Sequence, residues 1–194
     1  GIGALKSFKE FIGTRATIVI EEGAATGVID YRAQVAKIKA AAPDAIFMAM
    51  TYKEAGLFVK QAKDIGLKAL FLGDQPVDSP DFIATGGEAT EGTIVISPTA
   101  ANNQAFADEY SQLYKMPPSY LSVKPYDSTK VFNEVAKKCE TKEYAGECLK
   151  DELFAIKDFP GLSFPINYDA NGDIQDQLII KIVKGGVFVP YVKP

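Results

Sequence analysis

The stretch that decides the fold is residues 44–75, DAIFMAMTYKEAGLFVKQAKDIGLKALFLGDQ. It opens with a continuous apolar run, Ala45 to Met50, bounded by polar residues and too short for a helix buried on every face. Such a run predicts a strand covered on both sides, as in a parallel sheet. The period then changes. Ala55, Phe58, Val59 and Ala62 recur at three and four residues, while Lys53, Glu54, Lys60 and Lys63 fall elsewhere, the pattern of an amphipathic helix. Thr51 is placed to cap that helix through its hydroxyl, and Glu54 stands where a capping box wants an acid. Gly66 supplies a left-handed stop, and Leu70 to Gly73 reads as the next buried strand. This is a β-α-β unit. Its strand ends, Thr51-Tyr52 and Asp74-Gln75, are expected side by side on the carboxyl edge, where open parallel sheets bind ligands.

Working outward, residues 3–12 read as a helix and Arg15 to Glu21 as a β-branched buried strand. Gly23 to Asp30 is a loop ending in a capping aspartate, followed by a helix from Tyr31 to Ala42 that buries Val35, Ile38 and Ala41 and stops at Pro43. After Pro76, Ser79-Pro80 starts a helix that Gly86-Gly87 ends, and Gly92 to Ser97 is a fourth strand. Beyond Pro98 the composition shifts. Helices are expected over Asn102 to Lys115, Leu121 to Lys138 and Glu147 to Ile156. In the first, Phe106, Tyr110 and Leu113 share a register. In the second, Val131, Phe132 and Val135 point inward and Pro125 falls in the first turn, where its missing N–H costs little. Three β-like runs close the chain, Leu162 to Tyr168, Leu178 to Val183 and Val187 to Val192, with turns at Asp169 to Asp173 and Lys184 to Gly186. The expectation is an α/β fold with a mostly parallel sheet flanked by helices and an antiparallel β tail.

Composition narrows the function. The 194 residues carry a net charge of −4 and no basic run beyond Lys137-Lys138, which argues against a nucleic-acid surface. No apolar stretch approaches the roughly 20 residues that span a bilayer. With no histidine, the commonest general base and the usual serine or cysteine triad partner are missing, and no phosphate-binding or nucleophile-elbow motif is present. An enzyme is therefore not expected. Cys139 and Cys148, one at a helix end and the other at the next helix start, read as a disulfide in an oxidising compartment, with free thiols as the alternative. Two cysteines without histidine do not make a zinc site. Asp169-Asn171-Asp173 has the D-x-N-x-D spacing of a calcium loop, but Ile174 and Ile180 stand where glycine and glutamate are needed. A tight turn around Asn171-Gly172 explains it better, so no metal or cofactor is expected. Gly1-Ile2-Gly3 opens straight into the first helical pattern without Met or lead-in, the look of a mature or truncated fragment.

The segments VAKIKAAAPDAIFMAM, EAGLFVKQAKDIGLKALFLG and GEATEGTIVISP, with the later PPSYLSVKPYDSTKVF and SFPINYDANGDI, together resemble a known family. They look like type I periplasmic binding proteins, the extracellular solute-binding receptors of branched-chain amino-acid ABC transporters. The resemblance covers essentially the whole chain in the right order. It implies a two-lobed parent about twice this size, closing on a ligand in an interlobe cleft and recognised by a membrane permease, in a periplasmic or extracellular location. Residues 1–98 would belong to the second lobe, residues 99–160 would return to the first, and residues 161–194 would go back to the second. Most of the first lobe would be absent from this C-terminal portion. The ligand would be a small amino acid or carboxylate. By the same resemblance Thr51 or Tyr52 takes a place that is often aromatic, and Gln75 stands where many relatives have an acid that pairs with the ligand's ammonium. A neutral amide does not neutralise a desolvated ammonium, so either Asp74 substitutes from one residue away or the ligand lacks the amine. Tyr120 and Tyr126 are further cleft-lining or core candidates, with Tyr120 the one carried forward. Gly23 to Gly27 resembles a loop that often borders the cleft. A ligand sensor on the same fold is the alternative to a transport receptor.

Overall fold

A computed structural model describes residues 2–98, 103–174 and 178–192. The chain divides into two compact units, Gly1–Ser97 with Ile179–Pro194, and Pro98–Leu178.

The first unit is built on the β-α-β pattern. Helix α1 (Ile2–Ile12) is followed by α2 (Arg32–Ala41), β1 (Ala45–Met48), α3 (Tyr52–Asp64), β2 (Leu70–Gly73), α4 (Pro80–Gly86) and β3 (Ile94–Pro98). Two further strands of the same sheet come from the chain end, β6 (Leu178–Lys184) and β7 (Val187–Pro190), giving the order β1-β2-β3-β6-β7. Strands β1 to β3 are parallel and the β6–β7 hairpin is antiparallel. The hairpin turns on Gly185 and Gly186, both with positive φ, as a two-residue turn of the primed type requires. Strand β6 joins β3 through Gly92 N–H to Val183 C=O at 3.0 Å and Val183 N–H to Thr93 C=O at 2.9 Å.

The local signals explain these elements. Gly66 has φ +75° and ends α3, and Ser79 Oγ accepts the Asp81 N–H at 3.2 Å with Pro80 in the first turn of α4. The apolar stripe of α3 (Ala55, Phe58, Val59, Ala62) is fully buried with Tyr31, Val35, Phe71, Val77, Phe82 and Val95. Phe58 sits edge-on between Tyr31 and Phe71, with ring centroids 5.9 and 6.3 Å away. Each such side chain stabilises the fold by about 1.5–3 kcal/mol on burial. Helices α3 and α4 cross where Gly56 and Gly86 meet. A Cβ on Gly56 would lie 2.8 Å from the Phe82 carbonyl oxygen, and one on Gly86 would lie 3.0 Å from that of Gly56, so both positions need glycine.

Several expectations fail here. Residues 15–21 form no strand. Ile18 and Val19 are exposed, and the segment pairs with no strand among the described residues. β-branched composition suits a pleated, half-buried surface but does not by itself supply a neighbour. Strand β1 is the sheet's edge and only Met48 in it is fully buried, so the cover expected on both faces is incomplete. The Phe8 ring of α1 stacks on Phe47 at 4.4 Å and supplies part of it. Asp30 is not the N-cap residue; Tyr31 is, and Asp30 instead accepts the Arg32 backbone N–H at 3.1 Å and pairs with its guanidinium.

The second unit holds α5 (Gln104–Tyr114), α6 (Tyr120–Cys139), α7 (Gly146–Phe154) and a two-stranded ladder of β4 (Phe159–Pro160) with β5 (Pro165–Ile166). Asn102, expected to begin α5, lies outside the described residues, and Asn103 caps that helix by accepting the Phe106 N–H. The buried face of α6 is Val123, Asp127, Val131, Val135 and Cys139, each four residues from the last. Phe132 was expected to point inward, yet it is 55% exposed, because it lies one residue, about 100° of helix, off that stripe. Leu113 is likewise exposed. Pro125 falls in the second turn of α6, where it removes the bond to Leu121 C=O, rather than in the first. Asp127 pins the loop before β5, both carboxylate oxygens accepting the Leu162 N–H at 3.0 Å. Cys139 and Cys148 form a disulfide with Cα atoms 5.9 Å apart. Asp169 Oδ1 accepts from the Asn171 and Asp173 N–H groups, which makes 169–173 a tight turn.

Candidate functional site

The register of β1 on β2 pairs Phe47 with Leu72 and Met48 with Gly73, so both strands end on one edge. The residues that follow, Thr51-Tyr52 and Asp74-Gln75, therefore leave the sheet together.

On the β1 flank, Thr51 occupies the N-cap of α3 with extended backbone, φ −75° and ψ 160°. Its hydroxyl does not accept a helical N–H as the capping pattern predicts. It donates to Glu54 Oε2 at 2.9 Å, while Glu54 Oε1 accepts the Gly27 N–H at 3.0 Å. These bonds, led by that from Gly27, hold the Glu54 carboxyl below its ordinary pKa. One helical acid thus ties residues 23–27 to the sheet edge. Seven residues on, Gln61 does the same for the end of that loop, accepting from Tyr31 N–H at 2.7 Å and donating to Ile29 C=O at 2.8 Å. Tyr52 is half-buried and packs against the unit's apolar core, whereas Thr51 is exposed.

The β2 flank is a strap, residues 74–79, built around a short 3-10 turn over Gln75–Val77. Val77 N–H bonds to Asp74 C=O at 3.0 Å, Asp78 N–H to Gln75 C=O at 3.1 Å and Ser79 N–H to Val77 C=O at 2.8 Å. The strap folds back closely enough that a Cβ on Gly73 would sit 2.8 Å from the Val77 Cβ. Asp74 is half-buried, and its Oδ1 is buried without a hydrogen-bond partner. Burial pushes its pKa above the ordinary carboxylate value, against the pull of its own backbone N–H. Gln75 is half-buried beside it. Asp78 does more than finish the turn: its Oδ2 accepts Lys181 Nζ at 2.6 Å and the Ser97 hydroxyl.

Thr51, Tyr52, Asp74 and Gln75 thus share one edge of the first unit. Tyr120 belongs to the second unit, where it is the first residue of α6 behind the Ser119–Ser122 capping box, and is half-buried. Sequence reasoning missed the Ser97 and Lys181 partners of Asp78 and the double role of Glu54. Among the described residues no group of three acids, cysteines or histidines is placed to hold a metal, and no helix is long and apolar enough to cross a membrane.

A model of the family described as "Periplasmic binding protein" matches residues 3–181. The chain belongs to that family. It is similar to the leucine-, isoleucine-, valine-, threonine- and alanine-binding protein of Pseudomonas aeruginosa, 26% identical over 163 residues that make 82% of this chain and 43% of that protein. Among solved structures it is similar to the leucine-binding protein LivK of Thermotoga maritima, with 27% identity and a TM-score of 0.89 over 98% of this chain and 56% of that one. It is also similar to LivJ of Streptococcus pneumoniae in complex with isoleucine, with 26% identity and a TM-score of 0.81 over 98% and 56% of the two chains. The fold is that of the type I periplasmic binding proteins, and the family is one of solute-binding receptors rather than enzymes. The chain spans about half the length of these relatives.

Proposed function

We propose that this chain is the ligand-contacting part of an ABC-transporter receptor that takes a small amino acid or carboxylate at the carboxyl edge of β1 and β2. Thr51, Tyr52, Asp74 and Gln75 would make the contacts, with Tyr120 assigned on the family resemblance alone. A membrane permease would then read the liganded state, in a periplasmic or extracellular setting.

The observation that carries this reading is the orphaned Oδ1 of Asp74. A buried carboxylate oxygen without a partner costs free energy, and such groups are retained where something else completes them. At a parallel-sheet edge the natural complement is an ammonium, which Gln75 cannot neutralise. Asp74 would thus take over from the position of Gln75 the acid's part in amino-acid recognition. An amine-free acid would instead favour protonated Asp74 as a donor, and the raised pKa makes that form accessible nearer neutrality.

The test is a thermal-shift screen of the full chain against L-leucine, L-isoleucine and benzoate. A ligand at 100 times its dissociation constant adds about 2.7 kcal/mol of stability, a clear rise in midpoint. Stabilisation by the amino acids with affinity falling as pH drops through the Asp74 pKa supports the ammonium reading. Stabilisation only by benzoate, strengthening in acid, replaces it with the amine-free one. No stabilisation by any of them removes the transport-receptor reading in favour of a sensor with another ligand.

A further inference from the structure

The buried charges of the first unit are not all accounted for by a ligand. Asp78 and Lys181 are 103 residues apart in sequence, and their side chains are only 7% and 17% exposed. Ser97, at the end of β3, is fully buried and donates to the same Asp78 oxygen that takes the lysine. One carboxylate oxygen thus gathers donors from β3 and from β6. An ion pair out of water returns little net stability over an apolar pair of the same volume, while removing one member leaves an uncompensated charge. Its geometric effect is larger, since it fixes where the strap can lie.

That strap is weak by itself. A single 3-10 turn with three backbone bonds does not hold its shape alone. At one end Gly73 lets it fold onto Val77, and at the other Asp78 ties it to two strands. Asp74 lies four residues from Asp78 within this span. A free strap would let its carboxylate turn to water, as an isolated buried acid does when it can.

We propose that Asp78, Ser97 and Lys181 form a positioning lock that presents Asp74 and Gln75 at the sheet edge, so that Lys181, in the C-terminal hairpin, sets ligand affinity without touching ligand. The affinity part rests on the receptor reading above. The lock itself is tested without ligand.

In the full chain, Lys181→Met and Asp78→Asn should speed hydrogen exchange of the Val77 and Asp78 amides about tenfold or more, with the Val59 amide in α3 unchanged, the behaviour of a local opening. The NMR titration midpoint of the Asp74 carboxyl should fall towards the ordinary carboxylate value, a shift that general destabilisation would not produce. The L-isoleucine dissociation constant should rise by about tenfold, and Lys181→Arg, which keeps the charge, should return it to within about threefold of the parent. Ser97→Ala removes one neutral donor and should move all three readouts in the same direction by about threefold, which keeps the test open should Lys181→Met fail to fold. Unchanged strap exchange and an unchanged Asp74 midpoint in folded Lys181→Met, or in Ser97→Ala if the former does not fold, overturn the lock. If neither isoleucine nor benzoate binds the parent, the receptor reading falls while the exchange and the Asp74 titration still decide the lock. If ligand binds and the strap loosens without loss of affinity, the link from lock to site is wrong.

Discussion

The two flanks of the candidate site meet the same requirement by opposite means. On the β2 side the strap is tied down by a buried carboxylate, a buried hydroxyl and a lysine from a strand 103 residues away. On the β1 side the loop over residues 23–27 is held by one solvent-exposed bond from the Gly27 N–H to the half-buried Glu54. A buried tie is costly to break and rigid; a surface tie contributes little and lets the loop move. On the proposed reading, one flank would be placed before a ligand arrives and the other left to adapt.

The largest expected effect is at Asp74. Asp74→Asn should cost an ammonium-bearing ligand at least about 100-fold in affinity, the ~3 kcal/mol typical of removing one partner of a desolvated charge pair. It should also stabilise the unliganded chain at neutral pH. The folded pKa of Asp74 is raised above 3.8 by burial, so the charged form is the disfavoured one in the fold. That penalty is fully present above the folded pKa, shrinks as pH falls through it and is gone below the ordinary value of 3.8, so the gain of the Asn variant should disappear in acid. Thermal unfolding across that range with and without L-isoleucine reads both, and a neutral-pH loss of stability would show that Asp74 already has a partner in the free protein.

Next is Gly73. Its alanine variant places a Cβ 2.8 Å from Val77 Cβ, and Val77 is fully buried, so the strap must shift. Overpacking of this kind costs about 1–3 kcal/mol, and here it should also weaken binding, measurable by denaturant titration and calorimetry. Destabilisation with affinity intact would mean that the strap can move without disturbing the site. On the other flank, Tyr52→Ala should weaken binding by about tenfold, whereas Tyr52→Phe, keeping the ring against the core, should lose much less. Equal losses in the two variants would make the hydroxyl the contact rather than the ring.

The frame around the site was legible because its signals are local. Gly66, Ser79-Pro80 and the Ala55–Phe58–Val59–Ala62 stripe each act within a few residues, and so does the cysteine pair nine residues apart. What failed was non-local or a matter of phase. Nothing near Asp78 points to Lys181, and no spacing rule joins them. Residues 15–21 have strand composition, but pairing belongs to two segments, and a single run does not reveal whether its neighbour exists. Phe132 was lost by one residue of helical phase, since Val131 and Val135 are compatible with a stripe drawn on either side of them. Asp74 was named because it adjoins Gln75; its orphaned oxygen depends on how the strap folds, which the order of residues does not disclose.

The smallest expected effect lies at Glu54, and it tests the comparison most directly. Glu54→Gln keeps one acceptor for the Gly27 N–H but removes the charge, so it should cost less than about 1 kcal/mol and change affinity by less than about threefold. Its pH dependence is the sharper readout. The Gly27 and Thr51 bonds lower the folded pKa of Glu54 below 4.5, so their stabilisation is present above 4.5 and fades as pH falls through the folded value. The variant should flatten that acid limb of the stability curve and leave the neutral plateau nearly unchanged. If it instead weakened ligand binding as much as Lys181→Met, the β1 flank would be as tightly placed as the strap, and the contrast between a fixed and an adaptable side of the site would be lost.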